Sequence, residues 1–302
     1  MRRNISFISL VLLIMTVPLF SCTVPMNKVA VITLSGTIQS QQSASILSGS
    51  AITPDDVREY LRRADDDPMV KAIVIRIDSP GGDPAACQEI VYQMERTHKP
   101  IVISMRSMVT SGGYYISAGA DRIVALPSTL TGSIGVITLI PDVEGLFDKV
   151  GVRMEVLKAG KYKDMYAGVR ELTAEEKALI QKTTDQIYEQ FIDVIVKGRN
   201  MERQKVLELA DGQLFTGVDA KELGLVDELG DLQVAVDAAA KLAGVQSPEL
   251  DFYEPEISNL LKKFMGTSNR ALPVAMNSGF LDAASITAMH ILDNPYPIYL
   301  YK

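Results

Sequence analysis

The 302-residue sequence predicts an α/β fold built on a mainly parallel sheet. Runs rich in β-branched residues alternate along the chain with longer amphipathic segments, as strands and helices do in strand–helix units. The clearest run, Ile73-Val74-Ile75-Arg76-Ile77, is mostly apolar on both faces, which is typical of a buried parallel strand. Two of these units end in glycine-containing turns, at Gly81 and at Ser111. Neighbouring parallel strands would bring both turns to one edge of the sheet.

Each predicted strand is a short apolar run bounded by turn residues. Strands are expected over residues 29–34, 70–77, 100–105, 122–126, 134–140 and 152–157, with one more short strand after the turn at residues 211–212. After Gly244 the alternation of strands and helices decays.

The helices are marked by the residues at their starts. Thr53 is a suitable N-cap and is followed by Pro54, while Thr173 and Glu176 form a capping-box pattern before the longest helix. Helices are expected over residues 53–64, 84–96, 114–120, 143–150, 173–198, 202–210, 218–223 and 232–243, with less regular helical segments at 257–264 and 280–292.

The N-terminus has the pattern of a secretory signal. Arg2 and Arg3 precede a mostly apolar stretch over residues 5–20, and Leu19-Phe20-Ser21-Cys22 resembles a bacterial lipobox. We expect residues 1–21 to be a signal peptide, Cys22 to carry lipid and residues 22–27 to be a linker. An uncleaved signal anchor is the alternative, and both would hold the protein at the extracytoplasmic face of the cell membrane. Residues 28–245 would form the folded domain and residues 246–302 a C-terminal extension.

Charge and cysteine content exclude several classes of function. The net charge is −7, and it becomes −9 without residues 1–21, which carry two Arg and no acidic residue. An acidic chain is a poor candidate for nucleic-acid binding. The one cysteine beyond residue 22 is Cys87, which we interpret as a small core residue. No Cys/His cluster indicates a metal site, so we predict no metal and no other cofactor.

The segment Val109-Thr110-Ser111-Gly112-Gly113 is the strongest candidate for chemistry. A nucleophilic serine needs an exposed hydroxyl on a sharp strand-to-helix turn, and the following glycines permit that turn. The N–H groups of Gly81 and Gly112 could converge on one oxygen and stabilise an oxyanion. The alternative is a glycine-rich junction with no chemistry.

A nucleophilic Ser111 would need a base, and the sequence offers few. The two histidines, His98 and His290, lie away from the predicted strand ends, which disfavours a Ser-His-Asp triad. A lysine serves if it is neutral. Lys158, Lys161 and Lys163 follow the expected strand over residues 152–157. Strand alternation puts Lys161 and Lys163 on one face, so spacing does not choose between them.

Four motifs in this order resemble the signal peptide peptidase A family, in its short single-repeat bacterial form, over residues 28–229. They are Ser79-Pro80-Gly81-Gly82, Ser111-Gly112-Gly113-Tyr114-Tyr115, Thr131-Gly132-Ser133-Ile134-Gly135-Val136 and Gly160-Lys161-Tyr162-Lys163-Asp164. The resemblance implies a spiral of ββα units of the ClpP/crotonase type with additional C-terminal helices.

The same resemblance assigns roles to residues of this chain. It implies a serine endopeptidase with Ser111 as nucleophile, Lys163 as general base, the Gly81 and Gly112 N–H groups as oxyanion donors, and Ser133 hydrogen-bonded to the lysine amine. The implied substrates are remnant signal peptides and other unfolded apolar chains. The implied assembly is a closed homo-oligomeric ring, with eight as the expected number of subunits and each Ser/Lys dyad shared between neighbours.

Two other functions remain as alternatives. A crotonase-like enzyme acting on acyl thioesters would share the pair of N–H donors, but its substrates are cytoplasmic, which conflicts with the secretory N-terminus. A catalytically silent lipoprotein scaffold would keep the fold without the chemistry.

Overall fold

The computed structural model describes residues 27–41 and 51–253, which fold around a parallel sheet. In chain order the strands are β1 (Lys28–Ser35), β2 (Thr37–Ile38), β3 (Ala51–Ile52), β4 (Val70–Ser79), β5 (Ile101–Thr110), β6 (Arg122–Ala125), β7 (Leu130–Gly132), β8 (Leu214–Thr216), β9 (Glu228–Leu229) and β10 (Glu249–Tyr253). The helices are α1 (Pro54–Asp66), α2 (Pro84–Arg96), α3 (Gly112–Ala118), α4 (Glu144–Val150), α5 (Ala174–Arg199), α6 (Arg203–Leu209), α7 (Gly217–Leu223) and α8 (Leu232–Ala243).

The main sheet has the order β10-β1-β4-β5-β6-β9, and every neighbouring pair along this path is parallel. The far half of β5 pairs with β7, which pairs in turn with the antiparallel β8. Strands β2 and β3 form a separate parallel pair. The last part of β5 therefore lies between the ends of β4 and β7.

Buried apolar residues lie on both faces of this sheet, as the strand sequences predict. In β1, Ala30 and Ile32 belong to the larger cluster, whereas Val29 and Val31 belong to a second cluster on the opposite face. Alanine-rich α8 covers this second cluster through its small buried residues. Helices α2, α3 and α5 contribute to the larger cluster. Because both faces are covered, the strands read as nearly continuous apolar runs.

Most predicted elements are confirmed, including the Thr53 cap and the Thr173–Glu176 capping box. The strands predicted over residues 134–140 and 152–157 are wrong. Residues 152–157 alternate like a strand, but no sheet edge pairs with them, and they form an exposed irregular segment. The folded domain also extends beyond the predicted boundary at residue 245, because β10 pairs with β1 as far as Tyr253.

Helix α5 packs on α3, the helix that follows Ser111. A methyl group at Gly198 would lie 1.7 Å from the carbonyl oxygen of Ala118, so the two backbones touch there. The rings of Tyr115 and Phe191 pack at a centroid distance of 5.2 Å. We expected Gly198 to end this helix, but α5 continues to Arg199 and the glycine instead permits close packing.

Within the described residues, no helix combines the length and apolarity needed to cross a membrane. The expected signal peptide, Cys22, the linker, His290 and residues 254–302 lie outside those residues.

Candidate active site

Three neighbouring strands end at one place, and each end carries a predicted site residue. Parallel pairing aligns Ser79 of β4 with Val109 of β5, and Thr110 of β5 with Gly132 of β7. The turns that follow therefore bring Gly81, Ser111 and Ser133 to the same edge of the sheet. Ligand and catalytic sites of parallel sheets form at this carboxyl edge.

Ser111 occupies a strained turn between β5 and α3. Its backbone has φ 52° and ψ −120°, a conformation that residues with a Cβ rarely adopt. The Ser111 N–H donates to the Gly132 carbonyl at 2.8 Å, and the Ser111 carbonyl accepts from the Tyr115 N–H at 2.9 Å. The side chain is buried, contrary to the exposed hydroxyl expected from the sequence, and its Oγ has no hydrogen-bond partner among the described residues. A buried hydroxyl without a partner is costly, and such groups mark functional positions.

The glycine turn after β4 lies beside the start of α3. A methyl group at Gly112 would lie 3.2 Å from the Gly82 nitrogen and 3.4 Å from the Gly81 Cα. As the first residue of α3, Gly112 has an N–H without an intrahelical acceptor. The absence of a side chain at Gly112 thus lets the backbone of α3 approach the Gly81–Gly82 turn closely.

Gly82 brings a further backbone N–H beside Gly112, next to the predicted donor Gly81. The Gly81 N–H donates to Ser79 Oγ at 3.1 Å, so this predicted donor is already occupied. The Gly82 N–H makes no hydrogen bond to any described residue. Gly82 has φ 157°, and a methyl group on it would lie 1.9 Å from the Ile38 carbonyl oxygen. The turn after β4 therefore has two N–H groups next to Gly112. The Gly81 N–H is hydrogen-bonded, and the Gly82 N–H has no acceptor among the described residues.

Cys87 lies under this turn. A methyl group at Gly112 would be only 2.6 Å from its Sγ, and the thiol is fully buried. Burial raises the pKa of the Cys87 thiol well above its ordinary value. The thiol is thus held in its neutral, unreactive form, and the prediction that Cys87 is a core residue is confirmed.

The three candidate lysines differ in their partners. Lys158 Nζ donates to Asp164 Oδ1 at 2.6 Å, and Lys161 Nζ binds Glu175 at 2.5 Å. The hydrogen bond to Glu175 raises the pKa of Lys161. Lys163 is exposed on a turn closed by its N–H and the Gly160 carbonyl at 3.3 Å, and its amine has no partner among the described residues.

The structure does not bring the Lys163 amine within hydrogen-bond distance of Ser111, since the Ser111 Oγ has no hydrogen-bond partner among the described residues. Ser133 adjoins Ser111 through Gly132, has φ 49° and donates its N–H to the Gln213 carbonyl at 2.7 Å. It lines an open groove of about 610 Å³ whose wall includes Thr184, Asp185 and Tyr188 of α5. The predicted nucleophile, its oxyanion donors and Ser133 are therefore together, and the predicted base is apart.

His98 is also remote from this edge. Its ring is 89% exposed and pairs with Asp65 at 2.8 Å. The described residues hold no group of three His, Cys, Asp or Glu side chains suited to a metal ion.

Comparison with known proteins places this geometry in a family. The sequence profile described as Peptidase family S49 matches residues 93–246, which include Ser111 and Lys163. The chain belongs to peptidase family S49. Its S49 relatives are named as proteases, and the chain is accordingly a serine peptidase, as predicted.

Two bacterial relatives match over most of their length. A Synechocystis protein named as a protease is 36% identical over 91% of this chain and 96% of its own length. An Enterococcus faecium protein named after signal peptide peptidase SppA is 31% identical over 91% of this chain and 81% of its own. The Arabidopsis thaliana chloroplastic serine protease SPPA is 37% identical over 72% of this chain, which spans 33% of that longer protein.

Solved structures confirm the predicted fold class. The 1510-N membrane-bound stomatin-specific protease superposes with a TM-score of 0.52 at 16% identity, covering 76% of this chain and 99% of its own. A second structure of that protease, in complex with a substrate peptide, gives a TM-score of 0.50 at 17% identity over 80% of this chain and 98% of its own.

One charged cluster beside the predicted base escaped the sequence reasoning. The side chains of Asp164, Arg170 and Glu176 form a charged cluster directly after Lys163. The capping-box pattern identified Glu176, but only as a helix start. The charges of Asp164 and Arg170 are visible in the sequence, but the burial of Asp164 and its pairing with Arg170 could not be inferred, because both residues lie in an irregular segment.

Proposed function

We propose that the protein is a membrane-attached serine endopeptidase that uses a Ser111/Lys163 dyad. The observation that carries this proposal is the Ser111 hydroxyl itself. It is buried on a strained turn and has no hydrogen-bond partner among the residues that the structure describes. It also lies next to the glycine turn after β4, where the Gly82 N–H makes no hydrogen bond to any of those residues. Strained backbone and unsatisfied polar groups are tolerated where chemistry uses them.

In the proposed reaction, neutral Lys163 removes the Ser111 proton as Oγ attacks a peptide carbonyl carbon. The carbonyl oxygen becomes an oxyanion held by the Gly112 N–H and an N–H of the Gly81–Gly82 turn. Lys163 then protonates the leaving amine, and water hydrolyses the acyl-enzyme. If Gly81 is the second donor, its N–H must exchange Ser79 Oγ for the oxyanion; Gly82 needs no exchange. The structure of a peptidyl phosphonate adduct would show which nitrogen lies within about 3 Å of the phosphonyl oxygen.

The difference among the lysines supports Lys163 as the base. The Lys158 and Lys161 amines are already engaged by the carboxylates of Asp164 and Glu175, and the hydrogen bond to Glu175 raises the pKa of Lys161, so both are disfavoured as the base. Of the three lysines, Lys163 has an amine without a hydrogen-bond or ion-pair partner among the described residues. Insertion beside Ser111 and Ser133 would desolvate it, which favours the neutral form.

We propose further that Lys163 completes the Ser111 site of a neighbouring subunit in a closed ring. The segment before Lys163 exposes a series of apolar side chains, and such a series is typical of a covered interface. These are Leu139, Leu146, Val150, Val152, Met154, Val156 and Leu157, the last of them 89% exposed. A second copy docked on this segment would bury it and would bring a lysine to the site.

The proposed substrates are cleaved signal peptides and other unfolded apolar chains. The SppA name of the Enterococcus relative supports this, together with the sequence pattern that predicts lipid at Cys22. Metabolic labelling with a fatty-acid analogue should modify the wild-type protein but not Cys22→Ala. Equal labelling of the two forms would show that the anchor lies elsewhere.

The central test uses the full-length protein in detergent with a fluorophosphonate probe and an apolar fluorogenic peptide. We expect the probe to label Ser111 and to abolish hydrolysis, and Ser111→Ala to remain unlabelled. A folded protein that neither reacts with the probe nor cleaves any peptide would favour the scaffold. Hydrolysis of acyl thioesters but not peptides would favour the crotonase-like enzyme.

A further inference from the structure

The segment that carries Lys163 has little regular structure to hold it. Among the described residues, neither a helix nor a strand lies between Val150 and Ala174. Residues 151–161 are exposed throughout. Short turns alone would leave the position of Lys163 poorly defined, so other contacts must fix it.

Arg170 supplies the main contact, because its guanidinium joins two buried carboxylates. Nε and Nη2 donate to the two oxygens of Asp164 at 3.0 and 2.9 Å. Nη1 and Nη2 donate to the two oxygens of Glu176 at 2.9 and 2.6 Å. The Asp164 and Glu176 side chains are 6% and 4% exposed. Paired bidentate contacts of this kind fix orientation as well as distance.

Further hydrogen bonds hold the chain both before and after Lys163. Lys158 Nζ donates to Asp164 and to the Lys161 carbonyl, at 2.6 and 3.1 Å, which ties the residues before Lys163 into a loop. Glu176 accepts the Thr173 N–H at 2.9 Å in the first turn of α5. The turn is therefore attached to the longest helix of the fold through Arg170.

The charges balance, with two cations on two carboxylates. Hydrogen bonds from Arg170 and Lys158 hold the pKa of Asp164 well below its ordinary value. Arg170 and the Thr173 backbone lower the pKa of Glu176 to about 2. Both carboxylates stay ionised at neutral pH, where their ion pairs with Arg170 are intact.

We propose that Arg170 is a positioning residue for the lysine base. By binding Asp164 and Glu176 together it fixes the turn on which Lys163 stands and directs the amine outward, where a Ser111 site can take it up. This rests on the proposed role of Lys163. Asp164 is the residue next to Lys163, so a shift of its side chain moves the lysine directly.

The experiment compares Arg170→Ala, Arg170→Lys, Asp164→Asn and Lys163→Ala in the full-length protein. Arg203→Ala is the matched control. Arg203 also binds two carboxylates of α5, those of Glu189 and Asp193, but at an exposed place. With an apolar fluorogenic peptide, we expect Arg170→Ala to lower kcat about 100-fold with KM nearly unchanged, because misplacement by about 1 Å has that effect. Arg170→Lys, which replaces the fork by a point charge, should be intermediate.

Two further readouts separate positioning from a role in stability alone. Arg170→Ala combined with Lys163→Ala should be no less active than Lys163→Ala, because residues that act as a unit are not additive. Asp164→Asn should also change the alkaline part of the rate–pH profile, which reports the base, while Arg203→Ala leaves it unchanged.

Each outcome has one meaning for the proposal. Full activity and an unchanged pH profile in folded Arg170→Ala would overturn the positioning role. If Arg170→Ala does not fold, Arg170→Lys and Asp164→Asn decide, and loss of folding in all three would show that the cluster serves the fold alone and would also overturn it. An active Lys163→Ala would instead contradict the proposed dyad, whatever the Arg170 variants do.

Discussion

The N–H of Ser111 donates to the carbonyl oxygen of Gly132 at 2.8 Å, which ties the candidate nucleophile to the strand end before Ser133. This bond stabilises a backbone conformation that Ser111 alone would avoid. The strained turn is thus maintained by the end of β7, and the surrounding sheet supplies the free energy that holds the hydroxyl in place.

The strain at Ser111 can be measured with two inactive variants. Ser111→Gly should unfold at higher denaturant concentration than Ser111→Ala, because glycine accepts φ 52° and alanine does not. The expected difference is about 1 kcal/mol, since the greater freedom of glycine in the unfolded chain offsets part of the relief. Urea unfolding followed by circular dichroism gives the comparison. Equal stability, or a weaker glycine variant, would mean that the turn stores no strain.

Lys161 and Lys163 differ in the partners of their amines, and this difference predicts opposite effects of their substitution on activity. Lys163→Ala should lose hydrolysis by several orders of magnitude with the fold kept, as Ser111→Ala does, because a nucleophile and its base act as one unit. Lys161→Ala should keep most activity, since that amine is held by Glu175. Initial rates on the fluorogenic peptide decide, and the reverse pattern would assign the base to Lys161.

Gly198 is expected to be essential for the packing of α5 on α3. Glycine-to-alanine changes usually stabilise a helix by up to about 1 kcal/mol. At Gly198 the added methyl would lie 1.7 Å from a backbone oxygen, so Gly198→Ala should destabilise by roughly 1–3 kcal/mol through overpacking. Gly145→Ala in α4 is the control, because nothing lies within 4 Å of its added methyl. Urea midpoints shifted in the same direction would contradict this account.

The ion pairs of Arg170 with Asp164 and Glu176 predict that the stability of the fold falls at acidic pH. Glu176 has a folded-state pKa of about 2 against an ordinary value of 4.5, so its contribution is present above about pH 4.5 and is lost as the pH falls toward 2. Asp164 shifts in the same direction. Glu176→Gln should be less stable at neutral pH and lose less stability in that acid window. Thermal melts between about pH 5 and 2.5 test this, and parallel curves for the two proteins would refute it.

The sequence predicted the elements whose signals are local. Helix α2 was expected over residues 84–96 and is found there, because Pro84 and an apolar periodicity mark it without help from distant residues. The strand predicted over residues 152–157 was wrong for the opposite reason, because a strand depends on distant residues. Its alternation is real, but a strand also needs a partner strand, and no strand of the sheet pairs with these residues.

The same division applies to the site. The turns at Gly81 and Ser111 follow strand signals, so their meeting at one sheet edge could be predicted from topology. The bond that occupies the Gly81 N–H depends on the rotamer of Ser79, and the Arg170 cluster depends on how an irregular segment folds back onto α5. Neither follows from residue order.

The last prediction concerns whether a site is shared between subunits. Within the part of the chain that the structure describes, the Ser111 Oγ has no hydrogen-bond partner and the exposed Lys163 amine has none either. The apolar series from Leu139 to Leu157 lies just before Lys163. These three observations favour a Lys163 delivered by a neighbour. A self-sufficient subunit, whose turn folds back onto its own Ser111, is the alternative.

Mixing two inactive variants distinguishes a site shared between subunits from a self-sufficient subunit. Ser111→Ala and Lys163→Ala subunits, allowed to exchange, should together recover part of the wild-type activity, because some interfaces then combine an intact serine with an intact lysine. A fluorescence energy-transfer label on each variant confirms that mixed oligomers form, and each variant alone is the control. Leu157→Asp, which places a charge in the apolar series, should reduce both oligomer formation and recovery. Proven mixed oligomers without any recovered hydrolysis would show that each Ser111 uses the lysine of its own chain.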